Sequence, residues 1–137
     1  MNARVVAILV VSHAVMLCIG FWIGIEVVRR LGSLGILEEL ALSQRIARTA
    51  FNETSGDSAR ETLLRNDELL DHLGPAALSP TELAIDRMMT LTRLWKVEVG
   101  AGRGEQATYY RAKVQRVCEQ ARWRDCSDQA MERLLGR

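Results

Sequence analysis

Twenty-one consecutive residues, Val5 to Ile25, carry only two polar side chains, Ser12 and His13. As an α-helix that run is about 31 Å long, enough to cross the hydrocarbon layer of a bilayer. Arg4 precedes it, Glu26, Arg29 and Arg30 follow it, and Trp22 stands near its far end, where an indole rests well among headgroups. No other stretch is as long and apolar. The expectation is therefore one transmembrane helix over about residues 5–25, within an anchor of residues 1–28. A signal peptidase cut at the small residues around Ser12 and Ala14 would leave an apolar new terminus. The anchor is thus expected to stay uncleaved. A lipoprotein signal is excluded at Cys18, because Leu17 stands where a small residue is needed.

The remainder has the makeup of an ordinary globular chain. Of the 137 residues 48% are hydrophobic, and the formal charge is +1, so no strong field points to nucleic acid as a partner. Two prolines and few aromatics argue against an all-β fold. Residues 29–35, with Gly32 and Gly35, read as a hinge, and residues 36–137 as a helical-bundle domain. Ile36 to Phe51 places Leu40, Ala47 and Phe51 on one helical face. Ser58 and Glu61 have the spacing of a capping box, and Gly74-Pro75 is expected to end that second helix. Ser79-Pro80-Thr81-Glu82 is the clearest start signal: a capping serine, proline in the first turn and a glutamate that reaches back.

The third helix then carries Ala84, Met88, Leu91 and Trp95 on one stripe, broadened by Leu83 and Leu94. It should be the most buried. A fourth is expected from about Glu105 to Ala121, and a short terminal one carries Met131, Leu134 and Leu135. The predicted fold class is all-α: an N-terminal transmembrane helix, then a small antiparallel bundle of about four helices plus a short C-terminal helix.

Three cysteines are present. Cys18 lies within the apolar run. Cys118 and Cys126, eight apart, lie at the end of one helical pattern and just after a break. They are the candidate disulfide, a staple for a small domain in an oxidising space. With the short N-terminal tail, this favours a cytoplasmic N-terminus and a periplasmic C-terminal domain at a bacterial inner membrane. Zinc is not expected, because no CxxC pair occurs and no histidine lies near either cysteine.

Within the apolar run, Gly20 and Gly24 form a GxxxG that would let two helix backbones approach closely, and His13 would offer a hydrogen bond across such a contact. A homodimer or a membrane-protein partner through that helix is expected, with an envelope protein as a further partner. The six basic residues between Arg103 and Arg124 do not form one stripe. Arg111 and Arg122 flank one side of the helix's apolar face, Lys113 and Arg124 the other, and Arg116 points away, the pattern of a solvated rim. No nucleophile, base and orienting group come together in the pattern, and Gly100 to Gly104 lacks the features of a phosphate loop.

The sequence thus predicts a non-enzymatic interaction or assembly module of the bacterial envelope, with no cofactor. Two other readings suit the same pattern. One is a membrane-anchored four-helix bundle that senses a ligand. The other is an envelope immunity or lysis-accessory protein, since the layout of an anchor and a helical head resembles immunity proteins and inner-membrane spanins.

Overall fold

The computed structural model describes the backbone of residues 3–53 and 56–136, and the side chains of these except 3–14 and 29–31. Five helices follow in order: α1 (Ala3–Glu53), α2 (Asp57–Ala77), α3 (Pro80–Gly100), α4 (Gly104–Gln120) and α5 (Asp128–Leu135). No strand occurs among the described residues. The chain divides into two compact units, Met1–Gly35 and Ile36–Arg137.

The transmembrane helix expected over about residues 5–25 is not supported. Among the described residues no helix is long and apolar enough to cross a membrane. The first ten residues of the apolar run have side chains outside the description. The fold class is therefore corrected to all-helical, with a helical bundle and without the membrane span. The backbone is helical through Gly32 and Gly35, where the sequence suggested a hinge.

In the larger unit α3 is the central helix. Seven of its side chains are buried, more than on α2, α4 or α5, and it packs against all three of these. The core joins Met88, Leu91 and Leu94 of α3 to Ala47 of α1, Leu63 of α2, Tyr110, Val114 and Cys118 of α4, and Met131 of α5. Of the predicted stripe, Met88 and Leu91, with Leu94 beside them, are fully buried, whereas Leu83, Ala84 and Trp95 are half-buried. Burying a leucine of this kind is worth about 2 kcal/mol. The expected box at the start of α3 is complete. Ser79 Oγ accepts from the Glu82 N–H at 3.3 Å, and the Ser79 N–H donates to Glu82 Oε2 at 2.9 Å.

The ends of α2 differ from the sequence expectation. The helix begins at Asp57, after Gly56 in the left-handed region (φ 74°), and Ser58 caps nothing. At the other end Pro75 lies inside the last turn, which continues to Ala77 and closes with the Leu78 N–H on Gly74 O at 2.8 Å. Gly74 is buried because α2 and α3 come together there. A Cβ at that position would stand 2.4 Å from Leu83 Cδ1. The glycine serves close packing first and termination second.

A polar chain crosses the core. Ser43 Oγ on α1 donates to Asn66 Oδ1 at 2.7 Å, and Asn66 Nδ2 on α2 donates to Thr90 Oγ1 on α3 at 2.8 Å. Thr90 Oγ1 in turn donates to Asp86 O at 2.9 Å. Asn66 is 1% exposed and Thr90 fully buried, so the bond between them is made away from bulk water. Asn66→Ala is expected to cost about 1–2 kcal/mol, because Thr90 loses its donor inside the protein. A urea midpoint equal to that of the wild type would show that the chain adds nothing to stability.

Candidate functional site

Two surface features and one buried charge cluster stand out in the unit Ile36–Arg137. The first is a groove of about 410 Å³ between α1 and α2, lined by Glu39, Leu42, Ser43, Ile46, Glu61, Thr62, Arg65 and Leu69. Its α1 wall arises from helical spacing. Leu40 and Ala47 turn into the core, and Leu42 and Ile46, one turn apart, turn outward with 57% and 52% exposure. Glu61 and Arg65 have the spacing of a helical ion pair, yet they are not among the ion pairs of the described residues, and both line the groove. A second groove, of about 360 Å³, lies between the start of α3 and the end of α4, where Leu83, Ala84, Arg87, Val117 and Arg122 meet.

The charge cluster centres on Glu98, which is fully buried near the end of α3. Arg60 of α2 donates from Nε to Glu98 Oε1 at 2.6 Å, and Arg103, at the end of the α3–α4 loop, donates from Nε to Oε2. Arg103 also reaches Asp57 Oδ1 from Nη1 at 2.9 Å. Burial pushes the Glu98 carboxyl up. The hydrogen bonds and charges of Arg103 and Arg60 more than offset this and hold it below the usual carboxylate range. The cluster joins the α2 N-terminus, the α3 end and the loop that follows. Each of its carboxylate oxygens accepts from a guanidinium, which is the arrangement of a structural clasp.

Cys118 and Cys126 form a disulfide, with Cα atoms 5.8 Å apart. Cys118 is fully buried among core residues and Cys126 is half-buried against them. The bond spans the turn between α4 and α5, where Arg122 adopts a left-handed conformation (φ 53°). Ser127 then caps α5 by accepting from the Ala130 N–H at 3.3 Å. Cys18 is a free, exposed thiol.

The other residues singled out in the sequence do not come together. Gly20 and Gly24 lie in the unit Met1–Gly35, where a Cβ at either would meet nothing within 4 Å. The His13 side chain lies outside the described residues. His72 is exposed on α2. Among the described residues no group of His, Cys, Asp and Glu is arranged to hold a metal ion.

Two basic residues of α4 form rim contacts. Lys113 Nζ pairs with Asp67 Oδ2 of α2 at 3.2 Å, and Arg111 Nη2 with Asp128 Oδ2 of α5 at 2.7 Å. Sequence reasoning missed Glu98 and Asn66. Their polar side chains suggest solvated faces, but both lie at the spacing of an apolar stripe, Asn66 between Leu63 and Leu70 and Glu98 one turn after Trp95. Comparison with protein-family models, with curated proteins and with solved structures finds no match to this chain.

Proposed function

We propose that this chain is a non-enzymatic interaction module whose α1–α2 groove receives an amphipathic helix of a partner protein. The observation that carries the proposal is the pair Leu42 and Ile46, more than half exposed at the mouth of a groove that also holds Leu69. Contiguous exposed apolar side chains in a groove between two helices suit a third helix laid along them. The rim selects the partner's charge. Glu39 and Glu61 favour a basic residue beside the partner's apolar stripe, while Arg65 takes an acidic one. The disulfide supports work in an oxidising compartment, such as the periplasm.

Site-specific photo-crosslinking from position 42 of the full chain, in the native cell, tests the docking site. One adduct of discrete added mass is expected. A photo-crosslinker at Arg116, on the exposed face of α4, should give none. Ile46→Glu should abolish the adduct while changing stability by no more than about 0.5 kcal/mol, since that side chain is exposed. An adduct of twice the chain mass would make the occupant a second copy of this chain. Absence of any adduct would overturn the proposal.

A further inference from the structure

Helix α4 ends where glycine is the usual residue and arginine stands instead. Arg122 takes a left-handed conformation (φ 53°), alone in this among the described non-glycine residues. Two backbone bonds close that end: the Arg122 N–H donates to Glu119 O at 3.0 Å, and the Trp123 N–H to Cys118 O at 3.1 Å. The Cys118–Cys126 bond spans the same turn and ties it down.

Arg122 lines the groove of about 360 Å³ between the start of α3 and the end of α4. The apolar lining includes Leu83 and Ala84 of α3 and Val117 of α4. Two arginines, Arg87 and Arg122, line it as well, and no acidic residue does. Arg87 is tied to α2. Its Nη1 pairs with Asp71 Oδ1 at 3.1 Å, and its Nε stands 3.9 Å from Asp67 Oδ1, beyond hydrogen-bond distance, with both of those atoms buried and lacking a hydrogen bond. Arg122 is exposed and enters none of the ion pairs among the described residues. One of the two charges therefore has carboxylates beside it, and the other has none.

We infer that this groove binds a small amphiphile, a single carboxylate on an apolar body. The volume lies near the lower end for small-molecule sites, and Leu83, Ala84 and Val117 receive the body. The carboxylate pairs with the Arg122 guanidinium, whose fork of donors matches its two oxygens. One unpaired guanidinium calls for one negative charge, and a lining with arginines and no acid turns a cation away. Keeping arginine at a backbone position that favours glycine is a cost that a ligand contact explains. The site is separate from the α1–α2 groove and stands or falls independently of it.

The test is calorimetric titration of the full chain with decanoate, kept below its micellar concentration, with acetate and decylammonium as comparators. Decanoate should bind saturably. Acetate, which lacks the body, and decylammonium, which carries the opposite charge, should each bind at least about tenfold more weakly. Amide shifts on adding decanoate should concentrate at Thr81, Ala84 and Ala121 rather than at Leu42 and Ile46. Arg122→Gly relieves the left-handed backbone, so it should melt at or above the wild type and yet weaken decanoate binding about tenfold. Arg122→Lys keeps the charge and should bind more tightly than Arg122→Gly.

Decanoate held by apolar surface alone would bind the wild type and Arg122→Gly equally, and that result would overturn the site. So would shifts centred on Leu42 and Ile46, or decylammonium binding as tight as that of decanoate. If Arg122→Gly fails to fold, Arg122→Gln takes its place, and unchanged affinity in that variant rejects the proposal.

Discussion

Replacing Glu98 by alanine should cost about 3 kcal/mol of folding stability, near the lower end for breaking a buried ion pair. Glu98 is fully buried and accepts from both Arg60 and Arg103. Removing it leaves two guanidinium groups facing each other with no carboxylate between them. Their side chains are 34% and 35% exposed, so solvent takes up part of the loss, which is why the lower end applies. Glu98→Gln keeps the shape and one acceptor oxygen, and should lose less than the alanine variant. Denaturant midpoints at neutral pH measure both. A Glu98→Ala midpoint equal to that of the wild type would mean that the clasp adds nothing.

The same residue sets a pH dependence. Its folded pKa lies below the ordinary value of 4.5. The unfolded chain therefore binds the proton more readily than the folded one. The stability that Glu98 contributes is present in full above pH 4.5 and is lost as pH falls through the lower folded pKa. On acidification, the difference in stability between wild type and Glu98→Gln should shrink. A difference that stays constant down to about pH 3 would remove this carboxylate from the acid response.

Reducing the Cys118–Cys126 bond is expected to cost about 2.5 kcal/mol, the chain-entropy value for closing so short a loop. The effect should be concentrated in the C-terminal segment. Helix α5 is only eight residues long, too short to persist without tertiary support, and a single fully covered side chain, Met131, seats it in the core. Ala130 and Leu134 are only half-buried against the core, and the ion pairs Lys96 with Glu132, Arg111 with Asp128 and Arg133 with Asp125 are exposed and contribute little. Thermal unfolding with and without reductant, alongside Cys126→Ser, measures the loss. Hydrogen exchange should show faster opening at Asp128–Leu135 than in α3. Equal midpoints and equal exchange in both redox states would show that the core alone holds α5.

Several elements were readable in the residue string because their causes are local. The Ser79–Glu82 box depends on side chains and N–H groups three residues apart, and both of its hydrogen bonds form. The stripe Met88, Leu91 and Leu94 depends on helical period alone. The two cysteines were within reach because eight residues containing one turn bring such positions together. The start of α2 was misplaced, because Ser58-Ala59-Arg60-Glu61 fits a cap pattern that competes with a glycine able to take positive φ. Gly56 sets the boundary there, and Arg60, counted within the box, is instead drawn to Glu98, 38 residues away.

The apolar run shows the opposite hazard. A sum of hydropathy over Val5 to Ile25 is a statement about composition. Among the described residues no helix is long and apolar enough to cross a membrane.

By itself, then, the order of residues determined that this chain is helical, which faces of its helices are apolar, where α3 begins and which cysteines lie within bonding reach. Those follow from backbone hydrogen bonding and the helical period, which act over one or two turns. Tertiary structure alone decided that Glu98 is a buried clasp, that Asn66 links three helices, that Gly74 admits Leu83, and that Leu42 and Ile46 remain outside. Each of these depends on which helix lies against which, and the burial of a polar group is set by partners far away along the chain.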